Sequence, residues 1–280
     1  MIVSASRRTD LPAFHARWFL DRLGNGFVDV ANPFNAAQVS RVDLRPEAVD
    51  ALVFWTRLPS RTMLDALPSL EREYRSVWMV TITGMNRVME PGLPGLAEQS
   101  ARFRELARLL GPERVIWRFD PVIAVQGHLE RPLELFRRVA GELRGHTFRV
   151  IVSLLDPGRY KRAVKRTRAA LDERGVTAPL LDLAAPEHAG KLARLADGLV
   201  GLAREHHLEI QSCASPVDLA PHGIPSGACI DPALLNRLFG LTLPETPDPG
   251  QRTHCNCAPS KDIGSYNTCS FGCRYCYATR

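Results

Sequence analysis

Seven short runs rich in β-branched and aromatic residues (2–6, 27–31, 52–55, 77–83, 115–119, 148–154 and 208–212) are separated by longer stretches, several of helical period. This alternation constrains the fold most, because parallel strands need long crossovers, usually helical, and successive βα units then build a parallel sheet. The stretch 12–23 follows Asp10, a residue type that caps helix N-termini, and 96–110 runs into Gly111, a type that ends helices. Within 187–207, Leu192, Leu195, Leu199 and Leu202 recur at three- and four-residue spacing and predict an apolar stripe facing a sheet. With 280 residues, 45% of them hydrophobic, the chain is near the roughly 250 residues of one α/β barrel. The expected fold is α/β, a TIM-like (β/α) barrel, partial or complete, over residues 1–212.

In parallel barrels the active site forms at the carboxyl ends of the strands. Here those ends carry Arg7, Arg8 and Asp10, then Asn32 and Asn35, Trp55 and Thr56, Thr81 and Thr83, Arg118 and Asp120, Ser153 and Asp156, and Gln211 to Cys213. Any one polar residue at a strand end is ordinary loop chemistry. Arg118 and Asp120 are different, because they interrupt the apolar run Val-Ile-Trp-Arg-Phe-Asp-Pro-Val-Ile, where unpaired charges are costly. A mutual ion pair or a bound anion accounts for them, and both are candidate catalytic residues. Asn32, Trp55, Thr56, Thr81, Thr83 and Arg118 are the candidate cofactor contacts.

Net charge is +6 with a pI of about 9.1, a mild basic bias that permits an anionic partner. The first charges, Arg7 and Arg8, come too early for a signal peptide, and no apolar run approaches the roughly 18 residues that span a membrane. A cytoplasmic location follows as the expectation, and there thiols stay reduced. All seven cysteines nevertheless lie beyond residue 212. In a reducing compartment such clustering points to metal rather than disulfides. The expected division is therefore 213–280 as a cysteine-rich segment packed over the mouth of the barrel.

Cys269, Cys273 and Cys276 form a CxxxCxxC triplet, with Gly272 inside it and Tyr275 before its third cysteine. Three thiolates fill three corners of a 4Fe–4S cube and leave the fourth iron open, whereas electron-transfer clusters are normally closed by four. Cys213, Cys229, Cys255 and Cys257 remain, the complement of a closed cluster or a tetrahedral zinc. Small buried thiols are the plain alternative, but their polar, glycine-containing surroundings favour a second metal site, Fe–S slightly ahead of zinc. His254, beside Cys255, is the one histidine placed as an alternative ligand.

The loop Asn-Thr-Cys-Ser-Phe-Gly-Cys-Arg-Tyr-Cys-Tyr, 267–277, resembles the cluster loop of the radical S-adenosylmethionine (SAM) superfamily. The resemblance implies a 4Fe–4S cluster on Cys269, Cys273 and Cys276, SAM on the open iron, a one-electron donor such as flavodoxin or ferredoxin, and a (β/α)6 barrel to which the first six strands correspond. It also implies that Tyr275, the third candidate catalytic residue beside Arg118 and Asp120, shields the cluster or packs on adenine. In most of that superfamily the loop lies near the N-terminus, and many members carry a Gly-Gly-Glu tripeptide that is absent here. Across nearly its whole length the chain is similar to the domain-of-unknown-function family 1848, in Ser-Ala-Ser-Arg-Arg-Thr-Asp (4–10), Asn-Pro-Phe-Asn (32–35), Phe-Trp-Thr (54–56), Trp-Arg-Phe-Asp-Pro (117–121) and Gln-Arg-Thr-His-Cys-Asn-Cys (251–257). A more distant likeness to photolyase-like and spore photoproduct lyase proteins implies a nucleic-acid substrate, and the likeness to related members implies a chain that continues past Arg280.

Residues 159–174 hold seven basic side chains, with Lys161, Lys165 and Arg168 on one helical face. That face fits either a phosphate backbone or a solvated outer helix. No P-loop, GxSxG, HExxH or GxGxxG motif is present. The leading expectation is a SAM-cleaving enzyme. Against it stand a non-catalytic zinc or Fe–S protein that binds nucleic acid or a partner, and a redox sensor.

Overall fold

Alternation along each strand dictates two different faces, and the computed structural model, which describes residues 1–279, fills both. The strands are β1 (Ile2–Ala5), β4 (Ala51–Thr56), β5 (Ser76–Thr81), β6 (Val115–Val122), β7 (Arg149–Leu154), β8 (Glu209–Ser212) and the two-residue β9 (Lys261–Asp262). They form one seven-stranded sheet in the order β8-β7-β6-β5-β4-β1-β9, parallel throughout. From β4 to β8 each strand lies beside its predecessor in sequence. Right-handed crossovers in such an order place their helices on one face.

That face buries Leu52, Phe54, Trp78, Val80, Trp117, Phe119, Val150 and Val152 against α2 (Ala16–Asn25), α3 (Arg61–Glu73), α4 (Leu96–Leu110), α5 (Glu130–Leu143) and α7 (Ala189–Glu205). Phe54 stacks on Trp78 at 4.2 Å between ring centres, and Phe136 of α5 meets Trp117 at 4.7 Å. The stripe Leu192, Leu195, Leu199 and Leu202 is buried as its spacing requires, and Gly111 ends α4 in a positive-φ conformation. Ser60 caps α3 by accepting from the Met63 N–H at 3.2 Å. Ser60→Ala is expected to cost about 1 kcal/mol, read as a lower urea midpoint with an unchanged slope.

The alternate residues Ile2, Val53, Trp55, Val77, Met79, Ile116 and Ile151 face the other way, against Cys213, Ala228, Cys229, Ile230, Leu234, Leu235, Cys257 and Ala258. The chain after β8, with its helix α8 (Pro232–Phe239), thus lies across the face that the other helices leave open. A third apolar cluster joins Met89, Leu93, Ile123, Leu155 and Ala170 of α6 (Lys161–Asp172) to Phe271, Cys273 and Tyr275.

Two expectations need correction. Residues 27–31 form a strand, β2 (Phe27–Asn32), but it pairs antiparallel with β3 (Asn35–Asp43) in a separate hairpin. Only two residues lie between them, too few for a parallel crossover. The sequence 35–43 is too polar to announce itself as a strand, and most of β3 is exposed. The helix expected over 12–23 is instead two, α1 (Leu11–Phe14), capped by Asp10, and α2, with His15 between them. No helix among the described residues is long and apolar enough to cross a membrane.

Candidate functional site

The carboxyl ends of the strands open into a cleft of about 520 Å³, and all seven cysteines line it. Strand alternation explains much of the remaining wall. Trp55, Thr81, Arg118, Asp120 and Ser153 stand at the ends of strands in the register of the face that carries the C-terminal segment, and each reaches the cleft. Thr56 and Tyr275 line it as well. Two expected contacts do not. Asn32 is outside the lining and donates its amide to Gln38 at 2.8 Å within the β2–β3 hairpin, while its neighbour Phe34 borders the cleft. Thr83 is fully buried and donates to Glu90 at 2.5 Å. A smaller cleft of about 310 Å³, at Pro112, Glu113, Phe148 and Arg149, contains none of these groups.

Arg118 is buried and ion-paired with Asp120 two residues along the same strand, which settles how two charges are tolerated in an apolar run. The pairing is incomplete, because Arg118 Nε is buried and makes no hydrogen bond. The indole Nε1 of Trp55 is likewise buried and unpartnered, and Arg7 lies 5.8 Å from the Trp55 ring centre.

The Cys269–Cys276 loop is held from several sides. Gly272 adopts φ 67°, the left-handed region in which glycine carries no steric penalty. Phe271 accepts from Gly92 N–H at 3.0 Å, and a Cβ on Gly92 would come within 2.7 Å of the Phe271 carbonyl, so only glycine permits this approach. The Arg274 N–H donates to Met89 at 2.9 Å. Below the loop sits Glu90, 1% exposed, whose Oε1 accepts from Arg57, Thr83 and the Tyr275 hydroxyl. Tyr275 therefore anchors the loop through its hydroxyl.

From α6, Arg166 donates to the carbonyls of Arg274 and Cys276. Arg166→Ala is expected to cost about 1.5–3 kcal/mol, concentrated in the loop. Faster amide exchange at residues 273–277, with little change in the sheet, is the expected readout. Arg168 is similarly spent on the carbonyls of Val176 and Ala178, so the face read as Lys161, Lys165 and Arg168 keeps only its two lysines exposed.

Burial pushes the Cys269 thiol up to about 11 and the Cys273 thiol up to about 12, main-chain N–H groups partly opposing at Cys269 and the Arg57 guanidinium at Cys273. Burial likewise raises Asp10, beside Cys269, to about 6. All seven thiols are free. Cys229 donates to Cys213 at 3.2 Å, and the Cys257 sulfur accepts from the Ile230 N–H at 3.4 Å. The neighbouring Cys229 and Cys255 thiols, with the Ile230 N–H, lower the Cys257 thiol well below its usual range. Among the described residues no three His, Cys, Asp or Glu side chains form a ready metal-ion cage. His254 is exposed and outside the cleft.

The profile of the family described as a domain of unknown function (DUF1848) matches residues 2–278. The chain belongs to the DUF1848 family. Searches of curated proteins and of solved structures return no match. In this DUF1848 chain, sequence reasoning missed Glu90 and Asp262, and read Arg166 only as one of the basic side chains of residues 159–174. Asp262 on β9 accepts from the Ser4 and Ser6 hydroxyls at 2.8 and 2.6 Å and from the Arg7 N–H at 2.8 Å, fixing the β1 end of the cleft. Its place in Lys-Asp-Ile-Gly-Ser-Tyr, between the two cysteine groups, was the available signal. Glu90, in a loop of ordinary composition, offered none.

Proposed function

We propose that this chain is a radical SAM-type enzyme, built on a section of a (β/α) barrel, in which Cys269, Cys273 and Cys276 hold a 4Fe–4S cluster. The observation that carries the reading is the loop triplet itself: three thiols from a CxxxCxxC loop lining a cleft at the carboxyl ends of parallel strands. The donor set fits the group. Thiolates on different irons of a cube are kept apart by its iron–sulfide core, and burial that disfavours the free thiolate is offset when a metal takes the proton's place. When bound, such a cluster supplies an open iron for the amino and carboxylate groups of SAM and the electron that cleaves its sulfonium.

The protein's own residues divide the remaining work. Trp55 and Thr81 form a wall for the nucleoside, the unpartnered Trp55 N–H offering a donor. Arg118, held in orientation by Asp120, offers its free Nε–H to a carboxylate or phosphate. Glu90, Arg57 and Tyr275 keep the loop in place, and the apolar residues around Phe271 exclude water from its buried side. A flavodoxin or ferredoxin in the same reducing compartment is the proposed electron donor. A phosphate-bearing substrate, nucleic acid included, suits Arg159 at the cleft and the exposed Lys161, Arg162 and Lys165.

The test is anaerobic reconstitution with iron and sulfide, reduction by dithionite in the presence of SAM, and chromatographic measurement of 5′-deoxyadenosine. Formation above a no-reductant control supports the reading. A colourless chain that takes up no iron sinks it in favour of a binding or sensing role.

A further inference from the structure

We infer that Cys213 and Cys229 are a reversible disulfide site, oxidised by a small hydroperoxide that enters the cleft and returned to two thiols by a dithiol reductant. Contact between the two sulfurs carries the inference. Cys229 Sγ lies 3.2 Å from Cys213 Sγ, the residues are 3% and 5% exposed, and both line the cleft. Bond formation brings the sulfurs closer by only about 1 Å. The backbone on either side is already held. Cys213, just past β8, donates its N–H to the Val152 carbonyl at 2.9 Å, while Ser212 donates to the Pro225 carbonyl at 2.9 Å and accepts from the Gly227 N–H at 2.8 Å. Ser226 thus lies parallel beside Ser212, three residues ahead of Cys229. Gly227 permits this approach, since a Cβ there would come within 2.8 Å of the Gln211 Cβ. On the other side of Cys229, the Ile230 carbonyl accepts from the Ala258 N–H at 3.0 Å. Two hydrogen-bonded segments therefore present the thiols to each other, and closure falls to the side chains.

The chemistry balances with hydrogen peroxide as the oxidant. One sulfur attacks the O–O bond, becomes a sulfenic acid and releases one water; the second thiol then displaces the sulfenic hydroxyl as another water and forms the S–S bond. Two electrons pass from sulfur to peroxide oxygen. Because its partner is already in contact, the sulfenic acid is captured before it oxidises further. The slight exposure of both residues suits a molecule of this size rather than a protein oxidant. A dithiol reverses the step by exchange and is itself left as a disulfide, so in a reducing compartment the bond is transient. When formed, it ties the end of β8 to the residues ahead of α8, which lie across the sheet face that the other helices leave open.

Cleavage after lysine and arginine leaves both cysteines in residues 205–237, Cys255 and Cys257 in 253–261, and the loop cysteines in other peptides. Full-length wild-type protein is treated with hydrogen peroxide while folded, blocked with iodoacetamide and digested with trypsin. The peptide 205–237 is expected two hydrogens lighter and unalkylated by mass spectrometry, and dithiothreitol added before blocking should restore two alkylated thiols. The oxidised protein should also melt at a higher temperature than the reduced one, because the bond joins residues 16 positions apart and constrains the unfolded chain. Cys229→Ser should abolish that rise. Cys273→Ala protein should give the same peptide result as wild type, which keeps this test separate from that of the cluster. A peptide 205–237 that stays fully alkylated after peroxide, or that is found cross-linked to 253–261, overturns the assignment. A lower melting temperature in the oxidised protein overturns it as well, since the folded chain then does not accommodate the bond.

Discussion

In the Cys273→Ala variant, 5′-deoxyadenosine formed on reduction is expected to fall to the no-reductant background. Cys273 is the middle of the three loop thiols and is buried against the side of the cleft where Arg57 stands. Alanine removes one of three anchors, and a cube held by two thiolates is no longer fixed in the cleft. Iron content should fall in parallel, which separates loss of the cluster from loss of turnover. The substitution is small and leaves Phe271 and Tyr275 in their apolar cluster, so the circular dichroism spectrum should match wild type. If wild-type protein carries a full cluster yet forms no more 5′-deoxyadenosine than the variant, the radical SAM reading fails.

Glu90→Ala is expected to produce the largest loss of stability among single substitutions at this site. Its carboxylate is 1% exposed and is the common acceptor for Arg57, Thr83 and Tyr275. Alanine leaves the Arg57 guanidinium, itself 11% exposed, without its counter-charge, a change that costs about 3–5 kcal/mol when one partner of a buried pair is removed. For a chain of this size that corresponds to a fall in Tm on the order of 10 °C. Glu90→Gln keeps an acceptor and should fall between the two. A shift of less than about 2 °C in the alanine variant would mean that the loop is held without Glu90.

The two expectations differ in how far sequence reaches them. Cys273 is legible because its chemistry lies in local spacing: three cysteines and a glycine within eight residues specify a tight, thiol-bearing loop before any fold is known. Glu90 is illegible because its importance comes from Arg57 and Tyr275, the latter 185 residues away, and no local pattern encodes that meeting. Asn32 shows the opposite error. It occupies a strand end, but its strand belongs to the hairpin, so the rule that strand ends line the site was applied to the wrong sheet. Thr83 failed for a shorter-range reason, lying beyond β5 where its hydroxyl turns to Glu90.

By itself the sequence determined the alternation of parallel strands and helices, the register that points Trp55, Thr81, Arg118 and Asp120 one way, and the separation of the cysteines into three and four. Periods of two and of roughly 3.6, and spacing within a loop, are local properties that the chain carries wherever it folds. The tertiary structure alone decided that residues 213–258 lie across the face the other helices leave open, that both cysteine groups reach one cleft, and that Cys213 and Cys229 come into sulfur contact. Those outcomes depend on contacts between residues far apart in sequence, set by which apolar surface each face of the sheet had left to bury.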